Sequence, residues 1–507
     1  MLVSLTWLLV VTSAFLRSGG YAEAASCSEF LACLSSIPED NSTLITRTSA
    51  EYDQDRFGMN YYFSFKPSAI YYPATNVAVA AAIKCAALNN IPVAPRSGGH
   101  SYEGYSEGGA DGALVLDLKQ FQQFSIDAST GIARVGAGTR LGPLYSQLWE
   151  NGKYLFPAGA CPSVGIGGHA LGGGTGLNGR KYGVATDNIV GMTVVDAKGD
   201  ILDISAVSNP DLFWALRGAG GGSFGIVTEF RLQAYKAPEI VTTFSINYSM
   251  DKFSTVIDSY LKWGRTLNED TMAELNVDSN YGITVQGTYH GDADGANATV
   301  AQLTALVGIP VAAEDQDVTP GTWYDAATRW AWLLNGTLAD PVVGDVHYWR
   351  STSMLYRNAL SDQEKSIILK YLMNPAAGSS STYMLIDLWG GKINRPNSAA
   401  AFDNHRGVEF GVEMVSESGN STSPTGLGCP ACQAWATNVG QDLRAAHSYG
   451  HIESYQNYIN RELPDFLDAY YGKSLPRLQK IKAAVDPQNV FRFPQSIPLA
   501  ELMAGGS

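Results

Sequence analysis

Residues 95–102 read Pro95-Arg-Ser-Gly-Gly-His100-Ser-Tyr and follow a short apolar run, Ile91 to Ala94, that predicts a strand. Two adjacent glycines between Ser97 and His100 predict a tight loop, and the exposed amides of such a loop suit a pyrophosphate. The stretch has neither the G-x-G-x-x-G spacing of the Rossmann fold nor the lysine of a P-loop. The ordinary nucleotide-binding motifs therefore do not explain it.

Two more glycine-rich stretches follow along the chain. The first runs from Gly159 to Gly176 and contains a solitary cysteine, Cys161, and the second runs from Gly218 to Thr228. Of the 53 glycines, 28 fall between Gly98 and Gly225, which indicates backbone that turns with positive φ or approaches a ligand closely. One such loop is typical of an ordinary turn, but three in sequence order predict a cofactor that carries phosphate.

Length and charge exclude some classes of protein. A chain of 507 residues predicts two to four structural units, because one domain holds roughly 100 to 200 residues. Hydrophobic residues make up 45% of the chain, as in an ordinary globular protein. The formal net charge is -14 and the sequence has no basic cluster, so nucleic-acid binding is disfavoured.

The N-terminus predicts a secretory signal peptide over residues 1–25. The apolar run from Leu2 to Leu16 is too short to span a bilayer, and an A-x-A cleavage pattern follows it. A buried N-terminal helix is the alternative, since no basic residue precedes the run. Five N-glycosylation sequons support a secreted, extracellular protein without a membrane span: Asn41, Asn247, Asn297, Asn335 and Asn420.

The periodicity of apolar residues predicts an α+β protein with two parts, a glycine-rich part and a part built on an antiparallel sheet. Helices are expected from the cap Thr75 to Leu88, from Thr139 to Gly152 and at Leu475 to Val485. Strands of the glycine-rich part are expected at Leu114–Leu118, Ile132–Val135, Ile189–Val195 and Ile226–Leu232. Strands of an antiparallel sheet are expected at Val241–Tyr248, Ala273–Asp278, Ile283–Tyr289, Tyr383–Leu388 and Val408–Val415.

Seven motifs occur in a fixed order along the chain: Ser97-Gly-Gly-His100, Cys161-Pro-Ser-Val-Gly-Ile-Gly-Gly, Lys181-Tyr-Gly, Asp187-Asn188, Asp211-Leu-Phe-Trp-Ala-Leu-Arg-Gly, Gly222-Ser-Phe-Gly-Ile-Val-Thr and Asp486-Pro-Gln-Asn-Val-Phe-Arg. The set resembles the berberine-bridge-enzyme-like flavoprotein oxidases, and most of all the secreted fungal gluco- and xylooligosaccharide oxidases. The resemblance extends from about Pro67 to Pro498. It implies the two-domain PCMH-type (vanillyl-alcohol-oxidase) FAD-binding fold, with an FAD-binding domain at 26–240, a substrate-binding domain at 241–449 and a segment at 450–507 that completes the first domain.

The resemblance also implies FAD held by two covalent bonds, to His100 and Cys161. Imidazole and thiolate are nucleophiles able to add to an electron-poor flavin. Without the resemblance, His100 reads as a polar loop residue and Cys161 as half of a disulfide or a buried thiol. The other residues implied to hold FAD are Arg96, Ser97, Gly98, Gly99, Ser101, Val164, Gly165, Gly167, Gly168, His169, Gly173, Gly174, Gly225 and Val227.

Catalytic positions follow from the same resemblance. Tyr458, in Tyr455-Gln-Asn-Tyr458, matches the catalytic base, and Asp387 matches the acid that accepts its proton. A free tyrosine has a pKa near 10 and needs such help at neutral pH. Val164 matches a position where valine accompanies reaction with O2. On residue type alone, Tyr458 reads as core and Asp387 as a surface residue.

Substrate contacts and cysteine pairing are also implied. Tyr102 and Glu413 match sugar contacts of the oligosaccharide oxidases, and Cys33 with Cys85 matches their N-terminal disulfide. Cys429 and Cys432 could form a redox-type or a structural bridge, and no metal site is expected, because no second Cys or His pair has ligand spacing. Four tryptophans of the predicted substrate domain are candidate sugar platforms, although core packing is the more common role: Trp323, Trp330, Trp332 and Trp349.

The combined expectation is a secreted oxidase that converts the anomeric hydroxyl of a reducing mono- or oligosaccharide to a lactone and then an aldonic acid, and reduces O2 to hydrogen peroxide. An oxidase or dehydrogenase of a secondary-metabolite alcohol or alkaloid on the same scaffold is one alternative, since fold does not determine function. A secreted carbohydrate-binding protein without catalysis is another. A monomer is the default expectation, although the sequence leaves the sugar and the oligomeric state open.

Overall fold

The computed structural model describes residues 28–38, 40–331, 334–343, 348–418 and 429–500. The predicted signal peptide, Cys27, Trp332 and the sequon at Asn420 lie outside these ranges. No helix within them combines the length and the apolar character that crossing a membrane requires. Twenty strands are described: β1 Thr43–Thr46, β2 Ala69–Tyr72, β3 Val93–Arg96, β4 Leu114–Asp117, β5 Phe124–Asp127, β6 Ile132–Gly136, β7 Tyr154–Leu155, β8 Ile189–Val195, β9 Ile201–Ile204, β10 Ile226–Gln233, β11 Tyr235–Lys236, β12 Val241–Tyr248, β13 Thr271–Asp278, β14 Gly282–Tyr289, β15 Gln316–Gly321, β16 Leu334–Gly336, β17 Pro341–Val343, β18 Tyr348–Tyr356, β19 Ser381–Leu388 and β20 Phe410–Ser418.

The helices are α1 28–35, α2 Tyr52–Asp55, α3 Asn76–Leu88, α4 Leu141–Glu150, α5 Ile166–Leu171, α6 Gly179–Tyr182, α7 Pro210–Ala215, α8 Phe253–Gly264, α9 Ala293–Val307, α10 Trp323–Arg329, α11 Asp362–Leu372, α12 Pro430–Ala446, α13 Phe466–Tyr471 and α14 Leu475–Val485. The predicted α+β class is confirmed.

Two small sheets form the first part of the molecule. One has the order β1-β2-β4-β3, with β2 and β3 both parallel to β4, and the other is antiparallel with the order β5-β6-β10-β8-β9. Strand β3 feeds directly into the loop at 97–102, so the predicted glycine-rich loop starts at the end of a buried strand. Helix α3 begins as predicted, because Thr75 Oγ1 accepts a hydrogen bond from the Ala78 amide at 3.1 Å.

A seven-stranded antiparallel sheet with the order β15-β12-β14-β13-β19-β20-β18 forms the second part. Side chains alternate between its two faces along each strand. On β19, Met384 and Ile386 face a core shared with helices α8, α9, α11 and α12, whereas Leu385 and Asp387 face the opposite side. The second face is thereby left for polar groups.

The C-terminal segment returns to the first part of the molecule. Ile459, Tyr470, Leu478 and Phe491 belong to the same hydrophobic core as strands β2 to β10. The amide of Val93 on β3 donates to the carbonyl of Val490 at 3.1 Å, which joins the last described stretch to the strand that carries the first loop. The domain boundaries at 240/241 and 449/450 stay predictions.

A buried ion pair explains the Asp486-Pro-Gln-Asn-Val-Phe motif. Lys482 Nζ lies 2.7 Å from Asp486 Oδ2 and donates to the carbonyls of Ser223 and Phe491 at 2.8 and 2.6 Å. The Asp486 carboxylate also accepts the amides of Val490 and Phe491. The motif therefore stabilises the third glycine-rich loop, because Lys482 binds the carbonyl of Ser223 in that loop.

Several predicted boundaries were wrong by one to three residues, the largest difference being the strand expected at Val408–Val415, which is Phe410–Ser418. Two of these boundaries lie next to the glycine-rich loops. The strand expected at Ile91–Ala94 is Val93–Arg96, because Arg96 forms a buried ion pair with Asp117 at the matching position of β4. The helix expected to start at Thr139 starts at Leu141. There the Thr139 carbonyl accepts the Ile166 amide at 2.9 Å, so this backbone pairs with the second glycine-rich loop.

Candidate active site

A cavity of about 380 Å³ lies between the three glycine-rich loops and the polar face of the seven-stranded sheet. The wall contains residues predicted for FAD as well as residues predicted for catalysis and sugar binding. The predicted residues on its wall are Ser97, Gly98, Gly99, His100, Ser101, Tyr102, Cys161, Val164, Gly165, Gly167, Gly168, His169, Gly225, Val227, Asp387, Glu413 and Tyr458. The remaining three, Arg96, Gly173 and Gly174, do not line it.

The glycines place bare backbone on the wall. A Cβ added to Gly98 would lie 2.3 Å from the amide nitrogen of Gly165, so the first two loops pack without room for a side chain. Ser97 Oγ donates to the Ala137 carbonyl at 2.6 Å and fixes the start of the loop. A Cβ at Gly168 would meet no atom within 4 Å, so that wall is open. The tightly packed backbone of the first two loops and the open space beside Gly168 together fit the FAD that the resemblance implies.

His100 and Cys161 lie on the same part of the wall. The Ser163 hydroxyl is 3.0 Å from Nε2 of His100 and 3.4 Å from Sγ of Cys161. Cys161 is not in a disulfide. Burial raises the pKa of its thiol, while the hydrogen bond to Ser163 and the charge of Arg140 oppose that shift. Two nucleophiles are thus held side by side, as attachment of one flavin ring through both would require.

His169 supports the second loop. Its Nε2 accepts a hydrogen bond from the Gly159 amide at 3.0 Å. Burial lowers the pKa of His169 to about 4, so the imidazole is neutral at physiological pH. A neutral acceptor at this point orients the loop and adds no charge to the wall.

The residues that do not reach the cavity have structural contacts. Arg96 pairs with Asp117 and also donates to the Asp55 carbonyl at 2.7 Å, beneath the first loop. The Gly174 amide donates to the hydroxyl of Tyr455 at 2.7 Å. A Cβ at Gly173 would overlap the Phe402 ring at 2.6 Å.

The predicted catalytic pair meets across the cavity. The Tyr458 hydroxyl lies 3.5 Å from Oδ2 of Asp387, although 71 positions separate them in the chain. Burial raises the pKa of Asp387 from 3.8 to about 6, and hydrogen bonds oppose this shift. Burial and the Asp387 charge raise the pKa of Tyr458 well above 10. Tyr458 is therefore a neutral phenol that can act as a base only by passing its own proton to a neighbour.

Tyr102 stands beside Tyr458. The two rings are parallel within 1°, with centroids 6.0 Å apart, and Trp349 lies 5.4 Å from Tyr102. The side-chain amide of Asn60 donates to the carbonyls of Tyr102 and Trp349 at 2.7 and 2.8 Å. One buried amide therefore holds the first loop against strand β18.

Glu413 occupies the polar face on the neighbouring strand β20. The Ser351 hydroxyl donates to its carboxyl at 2.6 Å, and Tyr102 also forms a hydrogen bond with it. Burial raises the pKa of Glu413 to about 8, helped by the charge of Asp387. Both predicted sugar contacts thus face the reaction side of the cavity.

Sequence reasoning missed Glu274, Gln286 and Ser163. Glu274 on β13 and Gln286 on β14 line the cavity, and Gln286 donates to Glu274 at 2.9 Å. The alternation of β13 placed Glu274 opposite its apolar positions Ala273 and Leu275, which was an available signal. Its register against Asp387 was not available from the chain alone.

The tryptophans divide between the core and the cavity wall. Trp330 and Trp349 line the cavity, whereas Trp323 is buried against Tyr145 in the first core. Within the described residues, no partner accepts the indole N–H of Trp349.

Two disulfides join Cys33 to Cys85 and Cys429 to Cys432. The first is the bridge implied by the resemblance and ties helix α1 to α3. The second closes the start of helix α12. With Cys161 outside both bridges, a thiol is available at the cavity.

Comparison with known families and structures agrees with this site. Residues 67–205 match the family described as FAD binding domain, and residues 454–498 match berberine and berberine like. The glycine loops at 97–102 and 159–176 fall within the first match, and Tyr455 and Tyr458 fall within the second. The two matched segments therefore both contribute residues to one cavity.

Relatives match over nearly the whole chain. The xylooligosaccharide oxidase of Thermothelomyces thermophilus is 33% identical over 90% of this chain and 92% of its own length. The chitooligosaccharide oxidase of Gibberella zeae is 30% identical over 89% and 91%. The solved glucooligosaccharide oxidase of Acremonium strictum, which carries 6-S-cysteinyl, 8α-N1-histidyl FAD, superposes with a TM-score of 0.81 at 26% identity, covering 93% of this chain and 99% of that one. The chain is a member of the berberine-bridge-enzyme-like family of FAD-linked oxidoreductases.

Proposed function

We propose that this protein is a secreted oxidase of reducing oligosaccharides that converts the anomeric hydroxyl to a lactone. The observation that carries the proposal is the Tyr458–Asp387 pair, 3.5 Å apart, in the same cavity as His100 and Cys161. A base and a proton acceptor opposite a flavin site are what oxidation of an alcohol requires.

FAD, bound through His100 and Cys161, would supply the two-electron acceptor for the hydride that leaves C1 and would return the electrons to O2 as hydrogen peroxide. Tyr458 would take the proton of the C1 hydroxyl and pass its own proton to Asp387. Asp387 is a carboxylate above pH of about 6 and can then accept it. The sugar thus loses one hydride and one proton and becomes the lactone, which water hydrolyses to the aldonic acid.

Substrate orientation would fall to Tyr102 and Glu413. Both face the pair from the neighbouring loop and strand, and the ring of Trp349 lines the same cavity. A wall of hydroxyl, carboxyl and aromatic groups suits a sugar ring, whose edges are polar and whose faces are apolar. The activities named for the xylo- and chitooligosaccharide oxidases support the same class of substrate.

Secretion and the use of O2 are parts of the proposal that rest on sequence. The apolar leader and the sequons support export, and Val164 on the cavity wall supports access of O2. Exposed Asn247 and Asn297 lie on the surface, where glycans can attach.

The test combines a cofactor assay with a substrate panel. The secreted protein is precipitated with acid, and hydrogen peroxide is measured under air with xylo-, cello-, malto- and chitooligosaccharides and with aromatic alcohols. We expect yellow colour in the pellet and peroxide with at least one oligosaccharide. Retained flavin with turnover of aromatic alcohols alone would refute the sugar specificity, and a colourless protein would refute the enzyme. The Tyr458→Phe variant, loaded with FAD, is the control for turnover at this site.

A further inference from the structure

Glu274 and Asp387 are direct cross-strand partners between β13 and β19. Side chains opposite each other in an antiparallel pair have Cβ atoms roughly 4.5–5.5 Å apart, which brings two carboxyl groups within hydrogen-bonding reach. Both residues line the cavity. Two carboxyl groups this close do not both ionise readily, because their charges repel.

The Tyr458 hydroxyl donates to Oδ2 of Asp387 at 3.5 Å, which favours a carboxylate at Asp387 and leaves the proton of the pair to Glu274. Gln286 Nε2 donates to Oε1 of Glu274 at 2.9 Å, so that oxygen acts as an acceptor. Burial raises the pKa of both carboxyl groups, Glu274 to about 8 and Asp387 to about 6. The hydrogen bond between them raises the pKa of Glu274 and lowers that of Asp387, as expected if Glu274 is the donor.

The groups around Glu274 and Asp387 also disfavour a second negative charge on this pair. The titratable groups that act on the pair from neighbouring elements are carboxyl and phenol groups: Glu413 on β20, Tyr383 on β19, Tyr260 on α8, Tyr102 after β3, and Tyr455 and Tyr458 in the C-terminal segment. Among the described residues that line the cavity, none is Lys or Arg. No cation of this wall therefore offsets a second negative charge.

We propose that Glu274 is a positioning residue, a neutral carboxylic acid that donates a hydrogen bond to Asp387 and keeps Asp387 as the carboxylate that receives the proton of Tyr458. This inference rests on the function proposed for Tyr458 and Asp387. In the transfer, the O–H bond of Tyr458 breaks as an O–H bond forms on Asp387, and Glu274 retains its own proton. The carboxyl pair ends the step with two protons and no charge.

Two substitutions distinguish the effect of the hydrogen bond between Glu274 and Asp387 from the effect of the titration of Glu274. In Glu274→Gln, the amide oxygen still accepts from Gln286 and the amide NH₂ still donates to Asp387. We expect flavin reduction by the sugar to keep its rate within about threefold at pH 7 and its acid limb near pH 6, while a transition near pH 8 disappears. In Glu274→Leu, which has no donor, we expect the acid limb to rise by about one pH unit, so that the rate falls about twofold at pH 7 and about tenfold at pH 5.

An infrared titration tests the proton without any turnover. In wild type without sugar, C=O bands of protonated carboxylic acids should persist up to about pH 8. Glu413 contributes such a band in both proteins, so the spectrum of wild type minus that of Glu274→Gln should contain the one band that belongs to Glu274. If no sugar is oxidised, the proposed function fails, whereas this band still decides the protonation of Glu274. The inference is overturned if the difference spectrum contains no such band, or if Glu274→Gln is as slow as Glu274→Leu at pH 5 and equal FAD content.

Discussion

The hydroxyl of Ser163 lies 3.0 Å from Nε2 of His100, and the same hydroxyl lies 3.4 Å from Sγ of Cys161. A single small side chain therefore orients both predicted attachment points of the flavin. Ser163 is itself buried, so water does not compete for its hydroxyl.

Ser163→Ala should slow covalent attachment of FAD by about fivefold, because one hydrogen bond contributes roughly 1 kcal/mol to the orientation of the imidazole. The fraction of flavin that stays with acid-precipitated protein measures this. Thr139→Val is a matched control, since the buried Thr139 hydroxyl has no hydrogen-bond partner in the described structure. Equal attachment in both variants would contradict a role for Ser163.

Tyr458→Phe should lower the rate of flavin reduction by about 10²- to 10⁴-fold, the usual range for loss of a general base. The phenyl ring keeps its packing against Tyr102 and Tyr455, so the flavin content and the Tm should not change. Tyr102→Phe is the control and should change kcat by less than about tenfold. Stopped-flow reduction under anaerobic conditions separates the two, and a Tyr458→Phe variant as fast as wild type would refute the base.

Glu413→Gln should stabilise the protein at alkaline pH. The folded-state pKa of Glu413 is about 8 against an ordinary 4.5, so the folded state binds an extra proton between these values and wild-type stability falls as pH rises through that window. The variant does not titrate and avoids this loss, by on the order of 5 kcal/mol. Thermal unfolding at pH 5 and pH 9 should show a gain only at pH 9, and none for the exposed control Glu239→Gln.

Gly168→Ala should weaken cofactor binding without destabilising the fold. Alanine is favoured over glycine in a helix by about 1 kcal/mol, and the added methyl group meets no protein atom within 4 Å. It would instead occupy cavity space, so we expect a Tm equal to or above that of wild type in the protein that lacks FAD, together with reduced FAD content. Full flavin content in this variant would show that FAD does not approach α5. Gly98→Ala, whose Cβ would lie 2.3 Å from Gly165, should instead impair folding.

The sequence predicted local features well where one segment contains the whole signal. Strands β8 and β12 and helix α14 begin and end at the predicted residues, because apolar periodicity and end signals are local. The start of α4 was mispredicted because Thr139 and Arg140 pair with the loop at 164–166, a contact that no local pattern reports.

The candidate site depended on resemblance and on register. Asp387 and Tyr458 meet across 71 positions, and residue type alone would have assigned one to the surface and the other to the core. Glu274 escaped notice because its importance comes from its partner on β19, and the pairing β13-β19 skips five strands of the chain order. Sheet order of this kind is decided by tertiary packing.

The return of the C-terminal segment to the first core has a consequence for biosynthesis. Val490 bonds to β3, Lys482 supports the third glycine loop, and Tyr458 closes the cavity, so the FAD pocket needs residues from both ends of the chain. Domains generally fold as units while the ribosome delivers the chain from its N-terminus. This pocket is an exception, because it cannot assemble until nearly the last residues have emerged. The covalent attachment of FAD proposed above would therefore follow translation, and a ribosome-stalled chain that ends before Lys482 should carry no covalent flavin.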